Sequence, residues 1–169
     1  KDMFTGLQGV GWDGYLWMRN NPLVEMYDVE YVHNPTVIAQ NENMVAINSV
    51  MQVDLIGQIT CESQFGPRLI NGPGGQLDFH LGAFMAKGGR AISMLRSLAF
   101  GGSSTIVPHL TEGTLVTIPR QFADYVVTEY GVAKLAGKSH QERAEELIAI
   151  AHPDFRAELR KEARKMFWP

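Results

Sequence analysis

At 169 residues the chain is long enough for one domain with a real core, and 45% hydrophobic with 20% charged residues is an ordinary soluble balance. A net charge of −3 excludes an electrostatic draw to nucleic acid, and a single cysteine, Cys61, excludes an internal disulfide framework. A plain buried thiol in a reducing, cytoplasmic setting is the simplest expectation. No stretch is apolar and long enough to span a membrane, and nothing at the start reads as a signal peptide.

The chain opens at Lys1 without an initiator methionine, and Gly6, Gly9, Gly11 and Gly14 among aromatics read as the interior of a longer protein. Runs of β type bounded by Gly, Pro and Asn follow at 23–27, 44–50 and 58–62. A short β-type segment at 68–70 runs into the glycines of Asn71-Gly72-Pro73-Gly74-Gly75. The next stretch, 76–87, predicts a helix with apolar residues at Leu77, Phe79, Leu81, Phe84 and Met85 and a stop at Gly88-Gly89. Strands are predicted at 91–95, 115–118 and 125–128, and a short helix at 131–136. The clearest helix is 141–151, where Ser139 and Glu142 have capping-box spacing and Ala144, Leu147, Ile148 and Ala151 form one apolar stripe. His152-Pro153 ends it, and Pro153 opens the last helix, 154–166. There Arg160, Lys161, Arg164 and Lys165 alternate with Glu158 and Glu162 as a solvated face. This order predicts a single α/β domain over 1–169, an open layered α/β/α arrangement with a largely parallel sheet and helices gathered at the end.

The most specific local feature is the glycine turn into the helix at Gln76. The first N–H groups of a helix have no internal partner and lie at the positive end of its dipole, so such a turn presents donors to a phosphate, a carboxylate or a developing oxyanion. The alternative is a tight loop whose glycines serve geometry alone. The G-x-G-x-x-G spacing is absent and no Gly-Lys-Ser/Thr follows, so neither a dinucleotide fingerprint nor a P-loop is present. Glu129 closes a predicted strand, at the end where open α/β sheets bind ligands, or is an ordinary surface acid. Asn34 before Pro35 reads as a helix cap or turn residue, and Gly101-Gly102-Ser103-Ser104 either lines a pocket or connects. The five histidines show no metal-ligand spacing, so no metal site is expected.

Several runs together are similar to a known family, and in its order. They are Asn21-Pro22-Leu23-Val24-Glu25, Asn43 through Ser49, Gly74-Gly75-Gln76-Leu77-Asp78-Phe79, Ile106-Val107-Pro108, Val126-Val127-Thr128-Glu129-Tyr130-Gly131, and Glu142-Arg143-Ala144 through Ala151-His152-Pro153. From about Asn20 onward the chain resembles the carboxy-terminal domain of the acetyl-CoA hydrolase / 4-hydroxybutyrate CoA-transferase family, the family I CoA-transferases. The resemblance implies an active site between two similar α/β domains, with coenzyme A as part of the acyl-CoA substrate. It also implies a glutamate that becomes first an acyl anhydride and then a CoA thioester. That glutamate belongs to the amino-terminal half, and its motif is not found here. By the resemblance, Gly75 offers its N–H to the thioester oxygen, and Glu129 is a second active-site acid. Asn34 lies near the nucleophile, and Asn71, Gly72, Gly74, Gly75 and Gln76 line bound CoA. One departure is Ala99-Phe100-Gly101-Gly102, where the family usually has a CoA-contacting lysine in place of Phe100; Lys87 and Arg90 are the cations available to compensate.

Three functions follow in order. The first is an acyl-CoA:carboxylate CoA-transferase of the 4-hydroxybutyrate, acetate or butyrate type, partnered by its amino-terminal half and by small carboxylic acids, with a homodimer as one arrangement. The second is an acyl-CoA hydrolase of the same family. The third is a non-catalytic CoA-binding or interaction domain, suggested by Phe100 and the absent nucleophile.

Overall fold

A computed structural model describes residues 2–4 and 11–167; Gly6 and Gly9, read above as interior, lie outside that range. In chain order the elements are β1 (Asp2–Phe4), α1 (Trp12–Met18), β2 (Val24–Met26), α2 (Val29–Val32), α3 (Pro35–Ile38), β3 (Val45–Ser49), β4 (Gln52–Asp54) and β5 (Ile59–Thr60). Then come α4 (Gln76–Met85), β6 (Arg90–Met94), β7 (Ile106–Val107), β8 (Tyr125–Thr128), β9 (Gly131–Lys134), α5 (His140–Ile150) and α6 (Pro153–Phe167).

The main sheet has the order β3-β6-β8-β9, with β3, β6 and β8 parallel and β9 antiparallel at the edge. A smaller sheet, β5-β4-β7, continues beside it, and β1 pairs with β2. Register decides which face of the main sheet is covered. Ala46 pairs with Ala91, Asn48 with Ser93, Ser93 with Val126, and Val126 with Ala133, so these residues point to one side. On that side α4 packs its Ala83 against Ala46 and Ala91, while α5 brings Ala144 and Leu147 to Val126 and Ala133. The small side chains let helix and sheet approach closely. On the opposite side Val45, Ile47, Met94 and Val132 are exposed.

The carboxy-terminal helices form as their sequence dictates. Ser139 Oγ accepts from the amide of Glu142, and a Glu142 carboxylate oxygen accepts from the amide of Ser139, a complete capping box at α5. The expected stripe Ala144, Leu147, Ile148 and Ala151 is buried. Pro153 opens α6, whose Leu159 and Ala163 are buried and whose Arg160, Lys161, Arg164 and Lys165 stay exposed.

Three expectations are corrected. Residues 131–136 are not a helix: β9 folds back on β8 through the turn Glu129-Tyr130, with Thr128 paired to Gly131. Gly131 has φ +143°, which a helix excludes and which glycine adopts without a side-chain penalty. The β-branched Val132 then points out and Ala133 in, an alternation of strand period. Residues 115–118 form no strand, only a bridge between Ile118 and Ile59 in which the amides of Thr117 and Ile118 share the Ile59 carbonyl. Thr117 Oγ1 spends its hydrogen bonds on the Cys61 amide and the Glu62 carboxylate, anchoring the segment without a ladder. Residues 68–70 likewise make only a bridge, Leu69 to Ser63.

Candidate active site

The parallel strands β3, β6 and β8 end on one side of the sheet, at Ser49, Met94 and Thr128. Because α4 runs back toward the start of β6, its amino terminus also opens there. Open α/β sheets bind ligands outside the carboxyl ends of their strands, and here the glycine turn stands at that position.

Between Pro73 and Gln76 the chain makes a tight turn in which the Gln76 amide donates to the Pro73 carbonyl at 3.2 Å. Gly74 sits at φ +54°, and Gly75 occupies the position just before α4 with no side chain capping the helix. Among the described residues, no acceptor of the chain receives the amide of Gly74 or of Gly75. The two N–H groups border an open cavity of about 550 Å³ walled by Asn71, Gly72, Gly74, Gly75, Gln76 and His33, with Asn48, Ser49 and Cys61 deeper in. The corner is a cluster of unspent donors beside a helix amino terminus, suited to a carbonyl oxygen that gains charge.

Ser49 is shared with a second cleft, lined by Met94, Leu95, Arg96, Val127, Thr128 and Glu129. Glu129 lies in the turn between β8 and β9 and is held by Ser97. The Ser97 amide donates to one carboxylate oxygen at 2.9 Å and the Ser97 hydroxyl to the other at 2.6 Å. These bonds, the hydroxyl's first, hold the Glu129 carboxyl below the usual carboxylate range, so it stands as a hydrogen-bond acceptor. Thr128 fixes the turn, its hydroxyl donating to the Ile150 carbonyl and accepting from the Tyr130 amide.

Of the residues singled out from the sequence, Asn71, Gly72, Gly74, Gly75 and Gln76 share one cavity, and Glu129 belongs to the adjoining cleft. Asn34 caps α3: its side-chain oxygen accepts from the Thr36 amide at 3.0 Å and the Thr36 hydroxyl at 2.7 Å. Its neighbour His33 faces the cavity instead. Cys61 is buried in the cavity wall, and burial pushes its thiol above the usual range. Phe100 is fully exposed at the tip of a tight loop closed by Ala99 and Ser103, immediately after Ser97. Lys87 and Arg90 lie at the amino end of β6, a five-residue strand that spans about 16 Å, whereas the Phe100 loop follows its carboxyl end, and Lys87 pairs with Glu42 at 3.0 Å. Ser97 and His33 carried no motif, and only their tertiary neighbours mark them.

The model of the acetyl-CoA hydrolase/transferase C-terminal domain matches residues 13–163. The chain belongs to that family. As a member of it, the domain is 53% identical over 154 residues to a 4-hydroxybutyrate coenzyme A transferase from Clostridium kluyveri, covering 90% of this chain and 36% of that protein. RipA from Yersinia pestis shares 42% identity with a TM-score of 0.83, over 91% of this chain and 34% of its own. A 4-hydroxybutyrate CoA-transferase from Porphyromonas gingivalis shares 43% with a TM-score of 0.73, over 92% of this chain and 35% of its own. This acetyl-CoA hydrolase/transferase domain therefore spans about a third of the length of the relatives it matches. No helix among the described residues is long and apolar enough to cross a membrane.

Proposed function

We propose that this domain supplies one wall of the active site of an acyl-CoA:carboxylate CoA-transferase, the other wall and the nucleophilic glutamate coming from an amino-terminal half. The observation that carries the reading is the pair of unpartnered amides at Gly74 and Gly75, open to a cavity at the carboxyl ends of parallel strands. Relatives that act as CoA-transferases support it.

In this reading the thioester carbonyl oxygen sits against the Gly74-Gly75 amides. They oppose the charge that develops on it when the glutamate carboxylate attacks. Such donors are already in place, so no reorganisation is needed as charge appears. CoA lies along Asn71, Gly72 and Gln76. Glu129, fixed as an anion by Ser97, accepts a hydrogen bond from the bound substrate and is not a proton donor. The glutamate then carries CoA as a thioester until a second acid accepts it, which divides one difficult exchange into easier steps. The acids are small, the setting cytoplasmic, and the exposed sheet face of Val45, Ile47, Met94 and Val132 is available for the amino-terminal half or a second copy.

The test is Gly75→Val in the full-length enzyme, followed by transfer of CoA from an acyl-CoA to labelled acetate. A valine Cβ would stand 2.5 Å from His33 Cε1, so the cavity wall that Gly75 and His33 share must shift. CoA transfer should fall by about a hundredfold or more, the scale of losing one oxyanion contact, with an unchanged circular dichroism spectrum. Normal transfer by the variant would remove the role assigned to this corner.

A further inference from the structure

Arg143, in the first turn of α5, is only 8% exposed, yet it pairs with no carboxylate among the described residues. Backbone alone fixes its guanidinium. Nε donates to the Lys138 carbonyl at 3.2 Å, and Nη1 to the carbonyls of Ile56, at 3.3 Å, and of Arg120. These carbonyls satisfy hydrogen bonds and leave the charge without a counter-ion, which a buried cation ordinarily has. Nη2 donates to nothing among the described residues.

The same side chain lines a pocket of about 440 Å³ with Arg120, Gln121, Lys138, Ser139 and His140. Arg120, in the turn before β8, is exposed and likewise pairs with no carboxylate among the described residues. Burial first, and then the Arg120 charge, hold the Arg143 guanidinium below its usual range, so the two cations repel. The acids close by are already engaged. Glu142 accepts from the Ser139 amide and hydroxyl, and Glu146 pairs with Lys138. Helix α5 begins here too, and the amides of His140 and Gln141 meet no acceptor among the described residues. They add the positive end of the helix dipole to the two guanidinium charges.

We propose that this pocket is an anion site that takes a phosphate group between Arg120 and Arg143, apart from the glycine corner. It stands at the amino end of β8, where the Leu135 amide donates to the Asp124 carbonyl at 2.7 Å. Glu129 lies at the other end of that four-residue strand, which spans about 13 Å. A phosphate monoester carries about −1.5 to −2 charge at pH 7 and so matches two cations, whereas a carboxylate would neutralise one. Its oxygens also suit the forked donors of arginine. The group belongs to a free phosphate compound or to CoA itself, two sources that one displacement measurement separates. The site rests on the charges at this end of the sheet and does not depend on the transferase reading.

The experiment titrates the full-length enzyme with inorganic pyrophosphate in a calorimeter and compares Arg120→Ala with Arg160→Ala, an equally exposed arginine on α6. The Arg120 side chain is exposed, and the carbonyl that Arg143 uses survives its removal, so the variant keeps the fold. The parent should show saturable binding at one site. Arg120→Ala should weaken it at least about tenfold, the scale of one charge-assisted contact, while Arg160→Ala leaves it unchanged. No saturable binding by the parent overturns the proposal, as does an affinity that Arg120→Ala leaves intact or that Arg160→Ala lowers equally. Where the Arg120-dependent site is found, CoA is added to the pyrophosphate complex. Displacement assigns the site to a phosphate of CoA, and simultaneous binding assigns it to a free phosphate compound.

Discussion

Ser97 and Glu129 show how one buried hydroxyl sets the charge state of an exposed acid. Ser97 is fully buried, so its amide and hydroxyl keep a fixed direction, and Glu129 Oε1 and Oε2 meet both. The folded carboxyl therefore titrates below its ordinary 4.5. Ionisation favours folding at this site. The contribution is fully present above pH 4.5 and is lost as pH falls through the folded value. Replacing Ser97 with alanine should move the Glu129 carboxyl back up toward its ordinary range, read as the midpoint of its carboxyl carbon signal in an NMR titration. An unchanged midpoint would show that Ser97 does not govern it. At the same scale, Asn34 illustrates how local chemistry claims a side chain. An asparagine before a proline finds the Thr36 amide within two residues and becomes a cap, while the adjacent His33 is free to face Gly75.

Helix α4 serves two masters. Its first turn opens the cavity, and its inner face must lie on the sheet. Ala83 meets Ala46 and Ala91, and His80 lies on the same buried face, one turn nearer the cavity. His80 is fully buried with neither ring nitrogen bonded, and burial lowers it to about 4 from an ordinary 6.5. The sign follows from the neutral folded form. Above pH 6.5 the group leaves stability unchanged, and as pH falls from 6.5 to about 4 the unfolded state takes up the proton first and stability drops. Between pH 7 and pH 5 that amounts to roughly 2 kcal/mol. His80→Leu should flatten this stretch of the urea-midpoint profile by about that amount; a profile as steep as the parent's would place the acid sensitivity elsewhere. The β8–β9 hairpin offers the companion case for backbone. A Cβ at Gly131 would meet only Ile150 Cγ2, at 3.4 Å, so packing tolerates alanine. The φ of +143° does not, and Gly131→Ala should cost about 1–3 kcal/mol in urea unfolding. A neutral result would mean the turn relaxes into another form.

At the scale of the whole molecule, one sheet face lies under α4 and α5 while Val45, Ile47, Met94 and Val132 remain exposed on the other. The cavity lined by Gly74 and Gly75 lies at the amino end of α4. Both features are what the proposed reading requires, in which an amino-terminal half closes the site; the relatives are about three times as long as this chain. Residues 1–169 alone should therefore catalyse no CoA transfer, measured with labelled acetate and an acyl-CoA. Turnover by the pure piece would show that the half-site suffices.

The sequence by itself determined the strands 44–50, 91–95 and 125–128 to within a residue or two, helix α4 after its glycine turn, and the capped pair α5 and α6. These depend on period, capping and turn chemistry, which neighbours within a few residues supply. The cluster at Asn71 through Gln76 was legible for the same reason: a glycine turn before a helix carries its unspent donors wherever it is placed. Only tertiary structure decided that residues 131–134 return as a strand, because the ladder of β8 is what turns Gly131 away from a helix. It also decided that Ser97 holds Glu129, that His33 rather than Asn34 meets Gly75, and that Lys87 and Arg90 stand at the wrong end of β6. The pairings of Ser97 with Glu129 and of His33 with Gly75 join residues far apart in the chain, and nothing in local propensity records which distant side chain a fold will set beside another.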